Sequence, residues 1–312
     1  MNPVSYQLIE ATGPPPDSPA RTRDPERRPF RIGAVQKAWD PDPAVHRAGL
    51  AGGIALAAGK GAQLVCLQEL TLSPYFAIHP EDRESRERYI EDRPGGPTSE
   101  FAIEAARESG VFVHASLYER VEGEELGFNT AICASPQGEI VARTRKLHIP
   151  VTEGYHEDRY FRPGDTGFPV VGLGDARVGF PTCWDQWFPE LARAYSLAGA
   201  EVIVSPTAIG SEPDHPGFDT EPLWRQVIVG NGIANGTFMV AVNRIGVEGP
   251  ITFYGSSFVS DPYGRIRAEA PRDRPAVIVA DLDLDQRRDW LELFPFLETR
   301  RPGIYGPLVE GD

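Results

Sequence analysis

A glutamate, a lysine and a cysteine each follow a strand-like run in this chain: Glu69 after AQLVCLQ, Lys146 after EIVARTR and Cys183 after ARVGFPT. A thiol with the ordinary pKa of about 8.5 is only a few per cent thiolate at neutral pH, so a nucleophilic cysteine needs a base beside it. A carboxylate serves once partial burial lifts its pKa toward neutrality. The carbon that is attacked develops an oxyanion, which a fixed ammonium and the backbone N–H after the nucleophile stabilise. Base, cation and thiol therefore form a complete set for hydrolysis of an amide-type C–N bond. Each also has a structural alternative: Cys183 as a small buried hydrophobe, Glu69 as a helix-initiating acid, Lys146 as a solvated strand end. Cys66 and Cys133 lie inside apolar runs and read as core.

The elements around these residues decide whether they can meet. Ala176 to Thr182 reads as a strand, and Pro189-Glu190 opens a helix that keeps its apolar spacing until Gly199. Glu201 to Ser205 is the next strand. Cys183 thus sits at the carboxyl end of a strand and before a helix, the position where open α/β sheets bind ligands and where helix dipoles and cations acidify a thiol. The same alternation covers most of the chain. Strands are predicted at 31–36, 62–68, 111–117, 128–134, 139–145, 238–243, 256–260 and 277–281, and helices at 43–60, 98–109, 219–235 and 285–293. FNTAICASPQGEIV and YGSSFVSDPYGRIR align without gaps, Pro136 on Pro262 and Gly138 on Gly264, each as strand, turn and return strand. Two similar halves with mixed sheets predict an α/β fold of four layers, helix, sheet, sheet, helix. Common turn chemistry is the other source of such an echo.

Composition bounds the rest. The net charge of −14 argues against nucleic acid, and no apolar run reaches the roughly 20 residues of a membrane span. Three scattered cysteines make neither a disulfide framework nor a zinc site, and the N-terminus lacks a signal peptide's apolar core, so a reducing cytoplasm is expected. Residues 1–28 read as a flexible extension, and 29–312 as one domain with a tail from about 294. Phosphate-loop, G-x-S-x-G and H-E-x-x-H patterns are absent. His148 reads as a polar residue behind the site, and His215 as a solvated loop residue.

Glu69 in LQELTLSPYF, Lys146 in RKLHIP and Cys183 in CWDQWFPE resemble the Glu-Lys-Cys triad of the nitrilase (carbon–nitrogen hydrolase) superfamily, over roughly residues 30 to 306. CWDQWFPE, PTAIGSEP, NRIG and FYGSSF are most similar to the N-carbamoylputrescine amidase family within it. The resemblance implies an αββα sandwich, homo-oligomers, no metal or organic cofactor, and hydrolysis of a cationic N-carbamoyl amine to amine, carbon dioxide and ammonia. It also implies roles for single residues. Glu157 holds the lysine and supports proton transfer, Trp184 gives its backbone N–H to the oxyanion hole alongside Lys146, Tyr75 and Tyr155 line the pocket, and Glu212 receives a distal ammonium. The chain departs from the family pattern at Pro181, at Asn231 where a histidine is common, in the short 246–253 loop and at 294–299. These departures leave room for another carbamoyl or amide substrate, such as N-carbamoyl-β-alanine, an N-carbamoyl amino acid or an aliphatic amide. A non-catalytic binding subunit is the reading from another class.

Overall fold

The computed structural model describes residues 4–80, 82–92 and 95–309. Its strands are numbered along the chain. The first sheet is built from β1 (Gln7–Ala11), β2 (Phe30–Gln36), β3 (Leu64–Cys66), β4 (Ile90–Glu91), β5 (Phe112–Glu119), β6 (Phe128–Ala134), β7 (Ile140–Arg145) and β18 (Ala276–Leu282). It runs in the order β1-β18-β2-β3-β5-β6-β7, with β4 pairing β5. A two-residue pair, β8 (Val151–Thr152) and β9 (Tyr155–His156), links it to the second half. There β10 (Val170–Leu173), β11 (Ala176–Gly179), β12 (Val202–Pro206), β13 (Phe238–Val242), β16 (Phe258–Ser260) and β17 (Ile266–Glu269) form the second sheet in that order. The hairpin β14 (Ile245–Glu248) to β15 (Ile251–Tyr254) stands apart from it.

The pairing senses explain the sequence echo. β2, β3 and β5 are parallel and β6 and β7 return antiparallel. β11, β12 and β13 are likewise parallel, and β16 and β17 return antiparallel. The two aligned stretches therefore occupy the same place at one edge of each sheet.

Near-continuous apolar strands are what sheets covered on both faces require. Ile32, Leu64, Cys66 and Ile278 from the first sheet meet Val178, Val202, Val204 and Val240 from the second in a core between the sheets. On the first sheet's outer face Val35, Val65, Val277 and Val279 pack under α1 (Pro43–Gly59) and α3 (Pro97–Ser109), α2 being the short helix Arg83–Tyr89. On the other side Ile203, Met239 and Ala241 pack under α4 (Pro189–Leu197) and α5 (Glu221–Asn235), with α6 at Asp285–Leu293. The result is the four-layer αββα sandwich. Among the described residues no helix is long and apolar enough to cross a membrane.

One expectation is corrected. The N-terminal segment, read from composition as flexible, contributes β1, which pairs parallel to β18 and extends the first sheet. Alternation in YQLIEA suffices: Tyr6 and Leu8 pack on the outer core, Ile9 and Ala11 on the core between the sheets. The Arg-rich stretch behind it is neutralised by Glu201 and by acids from the other end of the chain. Arg21 meets Asp283 at 2.6 Å and Asp289 at 2.8 Å, and Arg27 meets Asp285 at 2.9 Å and Glu201 at 2.7 Å.

Two buried histidines predict an acid limit to stability. His114 stacks on Phe180 between its register partners Cys66 and Cys133, both ring nitrogens without a protein acceptor or donor. Burial lowers its pKa to about 3. Burial, and then the Lys37 ammonium, lower that of His46 to about 4. A group depressed on folding contributes stability above its unfolded pKa, near 6.5, and loses it as pH falls toward the folded value. Each histidine therefore adds up to about 1.4 kcal/mol of lost stability per pH unit between about 6 and 4. Urea midpoints measured from pH 7 to 4 should fall less steeply in a His114→Phe protein; an unchanged slope would contradict this.

Candidate active site

The chain ends three elements in turns that bring Glu69, Lys146 and Cys183 to one edge of the sandwich. Lys146 directly follows β7 and is fully buried. Its Nζ donates to Glu69 Oε1 at 3.0 Å and to Glu157 Oε2 at 2.6 Å. An ammonium has three donors, so one N–H remains beyond these two carboxylates. Burial depresses the ammonium, but Glu157 and Glu69 outweigh it and hold its pKa above the ordinary lysine value.

Glu69 lies past β3, in the loop that continues into Leu70. Its Oε1 also accepts from Asn129 Nδ2 at 2.7 Å, whereas Oε2 has no protein partner. Glu157 is carried by a 3-10 turn, Glu157–Arg159. Burial pushes its carboxyl up to about 7 against the downward pull of Lys146. Its Oε1 accepts from the Tyr75 hydroxyl at 2.8 Å.

Cys183 opens a 3-10 turn, Cys183–Trp187, that intervenes between β11 and α4. Its φ of +43° is left-handed, as is the +47° of Leu70 beside Glu69. Such conformations cost on the order of 1–3 kcal/mol in a non-glycine residue and persist where surroundings over-determine them. The Sγ faces the Ala208 carbonyl at 3.9 Å. The expectation of an acidified thiol is corrected. Burial and the nearby Glu69 carboxylate hold the Cys183 pKa well above its ordinary value, against Lys146. The resting group is a thiol, so deprotonation must accompany attack. Trp184 follows within the turn, whose first N–H groups have no intrahelical acceptor.

Side chains behind the reactive ones fix the turns. Buried Asp185 accepts from Thr182 N at 3.1 Å, His148 N at 3.0 Å and His148 Nδ1 at 2.8 Å, tying the cysteine turn to the chain after Lys146. His148 stacks on Phe188, behind the site. Gln186 bonds Trp224 at 2.7 Å, and Asn231 donates to its carbonyl at 2.9 Å. Asn231 thereby supports the turn from α5. Pro181 lies beyond the end of β11, where a missing N–H costs no ladder bond.

Two of the residues expected to line a pocket, Tyr75 and Tyr155, lie beside this cluster. The rings of Tyr75 and Tyr155 lie 5.7 Å apart. Their hydroxyls are committed, Tyr75 to Glu157 and Tyr155 between Gly210 N at 3.0 Å and the Ser211 carbonyl at 3.2 Å. Both rings are buried, Tyr75 fully. Glu212 is partly buried, and burial raises its carboxyl. Its field acts on the Tyr155 and Tyr254 hydroxyls, which also feel Cys183. Beside its loop a cavity of about 460 Å³ is lined by Ser211, Phe218, Thr220, Phe253 and Tyr254. His215 is exposed. Among the described residues no group of three or more His, Cys, Asp or Glu is placed to hold a metal ion.

Asn129, Asp185, Arg244 and Tyr254 were not singled out by the sequence pattern. Asn129 and Arg244 carry a readable signal: a polar residue in the apolar run FNTAICA, and a cation directly after AVN. Such groups are buried only with partners.

The carbon-nitrogen hydrolase family model matches residues 31–292. An N-carbamoylputrescine amidase from Arabidopsis thaliana is 38% identical, the match covering 92% of this chain and 97% of that one. A citrullinase from Francisella tularensis is 35% identical over 90% and 98%. The crystal structure of a carbon-nitrogen hydrolase from Helicobacter pylori superimposes with a TM-score of 0.79 at 31% identity, covering 90% of this chain and 99% of that one. The fold, the buried carboxylate–ammonium–thiol cluster and these matches agree, and the chain belongs to the carbon-nitrogen hydrolase family.

Proposed function

We propose that this enzyme hydrolyses N-carbamoylputrescine to putrescine, carbon dioxide and ammonia, with Cys183 as nucleophile, Glu69 as general base and acid, and Lys146 with the Trp184 N–H as oxyanion donors. Glu69 takes the thiol proton as Sγ attacks the carbamoyl carbon. The C–O π electrons move to oxygen, where the spare Lys146 N–H and the Trp184 N–H meet them. Glu69 returns the proton to the amide nitrogen and ammonia leaves, the S–C bond remaining as a carbamoyl thioester. Glu69 then takes a proton from water, hydroxide adds, the thiol is released, and the N-carboxy amine loses carbon dioxide. Glu157 keeps Lys146 charged and placed.

The observation that carries the chemistry is the buried Lys146 ammonium held by two carboxylates next to a protonated thiol. The substrate rests on Glu212, half-buried beside the tyrosine wall, and on the relative from Arabidopsis. A carboxylate there favours a ligand ending in an ammonium and opposes one ending in a carboxylate. The proposal places the enzyme in the cytoplasm as a homo-oligomer.

Ammonia release is the test, from N-carbamoylputrescine, N-carbamoyl-β-alanine and citrulline in parallel, with Cys183→Ala as blank. The amine should be turned over with the highest kcat/KM. Glu212→Gln should raise its KM about 10-fold or more, the value of one charge-assisted hydrogen bond. Higher kcat/KM on the acid or on citrulline would discard the putrescine assignment and keep the thiol chemistry.

A further inference from the structure

We infer that Arg244 is a positioning residue that holds Glu69 and Glu157 in register with one another, a reading that rests on Glu69 being the base. Arg244 lies in the short link between β13 and β14, fully buried. Both terminal nitrogens of its guanidinium are bonded, while Nε has no protein partner. One branch of its fork answers the loop of the base. Nη2 donates to the carbonyls of Glu69 at 2.7 Å, Leu70 at 3.2 Å and Ser73 at 3.3 Å. The left-handed Leu70 lies within this loop, and a cation at the focus of the three carbonyls stabilises a conformation that would otherwise relax.

The other branch runs to the second carboxylate. Nη1 donates to Glu248 Oε1 at 2.7 Å, and Glu248 Oε2 accepts from the Tyr75 backbone N–H at 2.7 Å. Tyr75 in turn donates its hydroxyl to Glu157. Packing follows the same path: the guanidinium lies over Phe253, 5.4 Å from the ring centroid, and Phe253 meets Tyr75 edge-on at 5.7 Å. One planar cation on the second half of the molecule thus fixes both carboxylates that grip Lys146, one through its own peptide and one through Glu248 and Tyr75. Lysine has a single point of attachment and cannot span the two branches. The short 246–253 hairpin, a departure from the family pattern, is what supplies Glu248.

The test uses the full chain carrying Arg244→Lys, Arg244→Met or Glu248→Gln, with Glu69→Gln as reference. Kinetics on N-carbamoylputrescine, the pH profile of kcat/KM, the rate of iodoacetamide reaction at Cys183 and the thermal midpoint are measured on each. Arg244→Lys should lower kcat about 100-fold with KM within about threefold, as expected for a displaced catalytic group. Glu248→Gln should lower kcat about 10-fold, the loss of one charge-assisted bond. Alkylation should slow in parallel, because the base no longer faces the thiol. Variants that melt lower but keep kcat within about threefold, with an unchanged pH profile and alkylation rate, would make Arg244 structural only and overturn the inference. If the Arg244 variants do not fold, Glu248→Gln decides alone: wild-type kcat in it refutes the relay. Full turnover by Glu69→Gln would instead remove the reading of the base. An inactive Glu69→Gln beside an active Arg244→Lys removes only the role of Arg244.

Discussion

The Cys183→Ala protein is expected to release ammonia from N-carbamoylputrescine at least about 10⁴-fold more slowly than wild type, a loss of roughly 5 kcal/mol or more of transition-state stabilisation. No other group in the cluster replaces a sulfur nucleophile: Lys146 is held protonated by two carboxylates, the Tyr75 and Tyr155 hydroxyls are committed to protein partners, and burial holds the Tyr254 hydroxyl protonated. The loss should come without a collapse of the fold, since the thiol's contact is a 3.9 Å approach to one carbonyl. Iodoacetamide provides an independent reading. Cys66 and Cys133 are fully buried between the sheets, and Cys183 retains 7% of its surface. The folded protein should therefore take up one label per chain, and turnover should disappear in step with it. Because the resting thiol is protonated, Glu69→Gln should slow that labelling by about 100-fold, the lower end of what a positioned base supplies. Undiminished turnover in Cys183→Ala would end the proposal.

Much of this was legible in the chain because the physics was local. Apolar runs ending in a charged or nucleophilic residue marked where strands stop, and the two aligned hairpins marked the repeated half-sheet. The N-terminal strand is hard to read because its alternation spans only five residues ahead of a Pro- and Arg-rich stretch. Its partners, β18 and the acids at 283, 285 and 289, lie at the other end of the sequence. The state of the thiol is hidden for a related reason. A strand-to-helix position suggests dipole and cation, but the field at Cys183 comes from Glu69, 114 residues earlier, and from burial that only the assembled sandwich creates. Arg244 was hidden in the same way: its acceptors are carbonyls in a distant loop.

Lys146→Met should be more damaging to the fold than any other single change in the cluster. With Nζ gone, the carboxylates that lay 3.0 and 2.6 Å from it face each other across an apolar side chain. Breaking a buried pair by removing one partner costs about 3–5 kcal/mol. The cost is pH-dependent, and its sign follows from Glu157. A carboxyl whose folded pKa is raised above its unfolded value, near 4.5, keeps its stability contribution below that value and loses it as pH rises through the folded pKa. Lys146 at present restrains that rise, so its removal widens the window upward: the wild type loses this contribution only up to about pH 7, and the variant should go on losing stability above it. Lys146→Met/Glu157→Gln removes one of the two charges and should recover much of the urea midpoint. It should recover none of the turnover, because the oxyanion still lacks the third N–H of the ammonium. A double variant that regains activity along with stability would show that Lys146 only neutralises its neighbours. A single variant as stable as wild type at pH 8 would show that the carboxylates do not depend on it.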